Sequence, residues 1–135
     1  METYDEKILP FITWATENVD KFIWSEAHCY SERLWVGGIS DCGALLKNGK
    51  TVIIDFKSSK EAYQSHFIQI AGYDIQISEN GLLGSQGTKK DEIKKIDGYA
   101  VVPFGSPEFT VDFRWNTDEL KKGFESALIL YKLVN

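Results

Sequence analysis

Apolar residues recur at helical spacing near the start of the chain, where Ile8, Phe11, Ile12, Ala15, Val19 and Phe22 fall on one stripe. The pattern predicts a helix ending within 18–21, and Pro10 fits it only near the first turn, where a backbone N–H has no partner to lose. Over 22–30 and 35–46, β-branched, aromatic and small residues flank the polar Ser31-Glu32-Arg33, which reads as two strands and a turn. A third strand is expected over 51–57, after Asn48-Gly49. Its run TVIID is nearly continuous in apolar residues, as a central strand covered on both faces requires.

Beyond that strand the period lengthens again. Ser58 or Ser59 is placed to cap a helix running to about Ser78, with Tyr63, Phe67, Ile70, Ala71 and Ile75 as its buried stripe and Gly81 as its stop. The glycine- and lysine-rich stretch 78–95 reads as an exposed loop. Strands are expected over 99–104 and 109–115. In the second, Phe109, Val111, Phe113 and Trp115 alternate with polar residues, so one face meets water. Asn116 and Glu119 form a capping-box pattern ahead of Leu120, Phe124, Ala127, Leu128 and Tyr131, a last helix. The expected order is αβββαββα, an α/β fold with a central mixed sheet flanked by helices. Without a repeat or a proline-rich linker, residues 1–135 read as one domain.

Composition narrows the chemistry. No stretch of about 18 apolar residues offers a membrane span, and the acidic opening METYDEKILPF lacks the pattern of a secretory signal, so an intracellular protein without membrane partners is expected. Cys29 and Cys42 lie in predicted strands and read as core thiols. With His28 and His66 the only histidines and no CxxC pair, zinc-ligand spacing is absent. The net charge of −5 argues against nucleic-acid binding by general electrostatic attraction, unless acids gather around a cation that reverses the local sign.

The segment GGISDCGALLKNGKTVIIDFKSSK puts two aspartates on neighbouring strands, and the turn decides whether they meet. A two-residue Asn48-Gly49 turn would leave Asp41 and Asp55 on opposite faces. A three-residue loop, Lys47-Asn48-Gly49, pairs Leu46 with Lys50 and sets Asp41 opposite Asp55; glycine in third position suits that loop. Like charges so placed destabilise a sheet unless a divalent cation compensates, and carboxylate oxygens with water suit magnesium or manganese. Lys57 points to the same face as Asp55 and can orient or deprotonate a water. A lone D-x-K on a strand is ordinary surface charge; Asp55 differs in ending a strongly apolar run opposite a second acid.

Gly38-Ile39-Ser40-Asp41, then Asp55-Phe56-Lys57, then Gln69 with Tyr73 reproduce in order the G-x-x-D, D-x-K and Q-x-x-x-Y motifs. The set resembles that of RecB-like nucleases of the PD-(D/E)XK superfamily, the branch that includes mitochondrial genome maintenance exonucleases. The resemblance implies a restriction-endonuclease-like core and metal-dependent DNA cleavage. It further implies catalytic roles for Asp41, Asp55, Lys57 and Gln69, metal binding by Asp41 and Asp55 with Glu26 as a third acid, and DNA contact by Tyr73. His66, one turn before Gln69, and Lys60 are candidate substrate contacts. Such relatives commonly carry an upstream metal ligand, for which Glu6 and Glu17 are the acids at hand.

Lys47, Lys50, Lys57 and Lys60, with Lys89, Lys90, Lys94 and Lys95, are candidates for a phosphate track. Trp14, Trp24, Trp35 and Trp115 read as core or edge aromatics, with Trp35 beside Gly37 able to stack on a base if exposed. The expected activity is a magnesium- or manganese-dependent deoxyribonuclease acting on single-stranded ends. A homodimeric junction-resolvase type of endonuclease, or a non-catalytic nucleic-acid or protein-binding module of the same fold, would use the same residues, alone or within a larger nuclease assembly.

Overall fold

A computed structural model describes residues 5–83, 93, 95–105, 108 and 110–134. The elements follow the order α1 (Asp5–Asn18), β1 (Val19–Ser31), β2 (Val36–Leu46), β3 (Thr51–Lys57), α2 (Gln64–Asn80), β4 (Gly98–Pro103), β5 (Asp112–Arg114) and α3 (Thr117–Val134). The strands form one mixed sheet in the order β1-β2-β3-β4-β5, parallel between β3 and β4 and antiparallel elsewhere. Only the parallel pair needs a long crossover, and α2 supplies it. The fold is thus α/β, with helices flanking a five-stranded mixed sheet.

β3 and β4 feed two cores by simple alternation. On the α2 side, Ile53, Tyr99 and Val101 meet Phe67, Ile70, Ala71 and Trp24. On the α1 side, Val52, Ile54, Ala100 and Val102 meet Cys42, Ala44 and Leu46, with Phe11 and Trp14 packed over them. Residues 51–55 are all buried, as the apolar run of the third strand requires. Helix α3 lies against α2, where Gly72 makes room: a Cβ there would stand 2.5 Å from the Phe124 ring.

Several boundaries depart from the sequence expectation. Helix α1 ends at Asn18, within the expected 18–21, but β1 opens at Val19 ahead of the expected 22, because the last helical carbonyls are already taken: Lys47 N–H donates to Asn18 O at 2.8 Å and Lys47 Nζ to Thr16 O at 2.7 Å. Pro10 lies a turn deeper than expected, so α1 forgoes one internal bond. The crossover helix starts at Gln64, not at Ser58 or Ser59. The chain after β3 bends but stays tied to the end of β4, with Phe104 N–H donating to Lys57 O at 2.7 Å and Gly105 N–H to Ser59 O at 2.8 Å. Tyr63, expected in the buried stripe, is the half-exposed N-cap. The last strand keeps only three residues. Lys89, Lys90, Lys94, Phe109 and the Glu6 side chain lie outside the described residues. No helix among the described residues is long and apolar enough to cross a membrane.

Candidate active site

The β2–β3 hairpin sets the geometry. Gly49, at φ 88°, sits third in the loop, its N–H donates to Leu46 O at 2.9 Å, and Leu46 N–H donates to Lys50 O at 2.8 Å. This is the three-residue loop, and its register runs from Leu45↔Thr51 to Cys42↔Ile54. One further step sets Asp41 against Asp55 on the α2-side face. Asp41 Oδ2 also accepts the Phe56 N–H at 2.9 Å, which ties the two strands together beyond the last ladder pair.

Asp55 is only 3% exposed. Burial first, then contact with Asp41, pushes its carboxyl up to about 6 against the opposing pull of Lys57. The Lys57 ammonium lies 3.0 Å from Asp55 Oδ2 but off the axis of a hydrogen bond, so that buried oxygen has a counter-charge and no donor. The ammonium thus reaches one member of a facing pair of acids, and Asp41 meets the Phe56 N–H instead. Such a site fits an oxygen-seeking divalent ion, since magnesium is commonly held by one or two carboxylates with water and substrate oxygens filling its shell. Among the described residues no three His, Cys, Asp or Glu side chains gather, and Asp41 and Asp55 are the acids that meet at this point.

Helix α2 brings the rest of the site. Lys57 Nζ donates to Gln69 Oε1 at 2.6 Å, which orients the ammonium. One turn on, the Tyr73 ring rests on Gly38, where a Cβ would stand 2.8 Å from Cε1. Burial, then the charges of Asp55, Asp41 and Cys29, raises the Tyr73 hydroxyl to about 12, so it keeps its proton and remains a donor. The residues of all three sequence motifs thus meet in space, and Gly38 is bare because an aromatic ring occupies the position of its side chain. Sequence reasoning gave Gly38 a place in its motif and no packing partner. It also did not anticipate Trp24, whose ring covers Gly43 and whose Nε1 donates to Ser40 Oγ at 3.0 Å, bracing β2 on both sides of Asp41. Glycine inside a strand was the available signal.

Other candidates stand apart. Glu26 is exposed, and although it lies between the pairs Ser25↔Cys42 and Ala27↔Ser40, its carboxylate does not join Asp41 and Asp55 in a group of three. His66 is occupied at the start of α2, where Nδ1 accepts the Tyr63 N–H at 3.1 Å; burial, then Lys57, lowers its pKa. Lys60 is exposed and lines a cleft of about 470 Å³ with Glu61, Pro103 and Asp112, beyond the ends of β3 and β4. Glu17 lines another cleft with Lys47 and Asn48 at the opposite end of the hairpin, so it is no upstream ligand for this site. For the same reason Lys47 and Lys50 do not form one patch with Lys57 and Lys60: about five strand residues, roughly 17 Å, separate Lys50 from Asp55.

No protein-family model matches the sequence, and no curated protein matches it. The functional reading therefore rests on the side chains themselves.

Proposed function

We propose that this chain is a magnesium- or manganese-dependent nuclease with a restriction-endonuclease-like core, hydrolysing DNA phosphodiesters from single-stranded ends. The observation that carries the reading is the buried Asp55 facing Asp41, with a donorless oxygen and Lys57 alongside. Buried like charges are costly, and a fold retains them where a cation or a reaction uses them. Asp41 and Asp55 would hold the ion, which when bound polarises a phosphate, lowers the pKa of water and offsets developing charge. Lys57 has three donors: one is fixed on Gln69 and none is aligned on Asp55, which leaves donors for a phosphate oxygen or the attacking water. Gln69 keeps the ammonium aimed at that position, and the protonated Tyr73 hydroxyl supplies a neutral donor beside the carboxylates.

Digestion of end-labelled single-stranded, duplex and branched DNA with magnesium or manganese tests the reading. Progressive shortening of single strands is expected, abolished by EDTA and by Lys57→Ala in protein that melts like the wild type. No cleavage of any of these substrates with either metal would refute it. A homodimeric, branch-selective endonuclease is the second reading, favoured by the outer stripe of α3, where Ile129, Leu130, Leu133 and Val134 are each at least 60% exposed. A dimer in solution with preference for branched DNA would select it.

A further inference from the structure

Helix α3 has two faces, and this chain covers one of them. Leu120 and Phe124 pack into the α2-side core, while Lys121, Glu125 and Lys132 reach Asp74, Arg33 and the Leu34 carbonyl. The opposite stripe, Lys122, Ser126, Ile129, Leu130, Leu133 and Val134, is exposed along its length. Its four aliphatic side chains are 60–80% exposed, and no acid stands among them.

The stripe is graded in size, since Gly123, Ser126 and Ala127 come before the four large residues. Glycine is a poor helix former, so a bare position inside a helix calls for a close neighbour. At Gly72 that neighbour is Phe124, 2.5 Å from where a Cβ would stand. At Gly123 the nearest atom beyond its own helix is Ile68 Cδ1, 4.0 Å away, so the fold itself makes no use of the missing side chain. An unused gap at one end of the stripe and projecting leucines at the other are the two halves of one fit.

We propose that α3 pairs with α3 of a second copy, antiparallel about a two-fold axis at the level of Leu128. In that register Leu133 of each copy seats against Gly123 of the other, Leu130 against Ser126 and Ile129 against Ala127, so large meets small along the contact. A parallel pair would set leucine on leucine at one end and leave a gap at the other. The antiparallel order also brings Lys122 to the last turn of the second helix, whose carbonyls carry partial negative charge. Because the same patch meets itself, the assembly closes as a dimer. An aliphatic side chain of this size withdraws on the order of 100 Å² from water when fully buried, so at 60–80% exposure the four offer roughly 560 Å² over two copies. Interfaces are about 60% apolar, which scales this to about 1,000 Å², the lower limit of specific association. An area at that limit corresponds to a reversible dimer, with a dissociation constant on the order of 10 μM. A homodimeric nuclease would use this contact, but the pairing stands on the helix alone and is decided without DNA.

Sedimentation velocity of the full chain from about 1 to 500 μM is the test, and the wild type should pass from monomer to dimer across that range. Leu133→Lys, which sets a second cation beside Lys122 of the other copy, should raise the dissociation constant about ten-fold or more. Ser126→Leu adds apolar surface, yet it should weaken pairing to a similar extent because the new side chain meets Leu130 of the other copy. Combining Ser126→Leu with Leu130→Ser exchanges the sizes and should restore the dimer. All three variants change exposed positions, so in dilute solution each should melt like the wild type. A wild type that stays monomeric throughout overturns the proposal. A dimer that survives Leu133→Lys, or that Ser126→Leu tightens, overturns it as well, since the contact would then lie elsewhere or lack this register.

Discussion

Asparagine at position 55 separates the cost of the buried carboxylate from its use. In metal-free protein Asp55 titrates near about 6 instead of the ordinary 3.8, chiefly through burial and then through Asp41. The folded state holds the proton more tightly than the unfolded chain. Between pH 3.8 and about 6 stability therefore falls as pH rises, and above 6 the whole penalty is present. The displacement corresponds to about 3 kcal/mol, which solvent at the open end of the site reduces to on the order of 2 kcal/mol. With an unfolding entropy near 2.1 cal/mol/K per residue, 2 kcal/mol in a chain of this length is about 7 °C. Asp55→Asn keeps the shape and leaves Lys57 its bond to Gln69. In EDTA at pH 7.5 the variant should melt roughly 5–7 °C above the wild type, and the gap should shrink as pH falls below about 6 and close near about pH 3, where Asp55 is protonated in both states. Millimolar magnesium or manganese should raise the wild-type melting temperature and leave the variant unchanged. Circular dichroism melts at the two pH values, with and without metal, decide the matter. A variant no more stable than wild type at pH 7.5, together with a wild type indifferent to both metals, would refute the account of a strained pair awaiting a cation.

Gln69→Ala removes the acceptor that aims Lys57 and should lower single-turnover cleavage about ten-fold or more with little change in DNA affinity, whereas Tyr73→Ala should weaken affinity; stopped-time assays and anisotropy separate the two constants. Tyr99→Phe deletes the hydroxyl that donates to Asp74 Oδ2 at 2.5 Å and leaves a buried carboxylate to Ser78 and to Lys121 at 3.8 Å. A loss of about 2–3 kcal/mol in urea titrations at pH 7.5 is expected, shrinking in acid because burial raises the Asp74 pKa.

The hairpin was legible because a glycine in the third loop position selects one register, and one residue of slip would have put Asp41 on the other face. From that single inference came the facing carboxylates, and strand alternation put Lys57 on the face of Asp55. β3 was legible in full because a strand buried on both faces carries its environment in its composition. The start of α2 was not, since Ser58 and Ser59 are good caps in isolation. What denies them the role is backbone pairing with Phe104 and Gly105, residues some 45 positions away. The lysines misled for a related reason: proximity in sequence across a hairpin turn is distance along its strands.

Glu26 shows where alternation itself stops being a guide. Trp24 and Ala27, three apart, both enter the α2-side core, which a regular strand cannot achieve. The pairs Ser25↔Cys42 and Ala27↔Ser40 keep register, so the change of face is taken up at Glu26, held at φ 47°, a conformation glycine would adopt freely and a glutamate adopts only under constraint. The constraint is Trp24, anchored on Gly43 and bonded to Ser40, which fixes the strand before the change of face while Ala27 and Cys29 fix it after. A residue that register places beside Asp41 is thereby turned out to solvent, and the acid that motif resemblance puts third in the metal site is kept from the other two by the packing of an indole. Relaxing that packing is the direct way to ask whether Glu26 can close on the pair: Trp24→Phe shortens the anchor and removes the bond to Ser40, and if the indole alone holds Glu26 away, magnesium affinity measured by calorimetry should rise in the variant and return to the wild-type value in Trp24→Phe combined with Glu26→Gln. Equal magnesium affinity in all three proteins would show that two carboxylates are the chain's whole contribution.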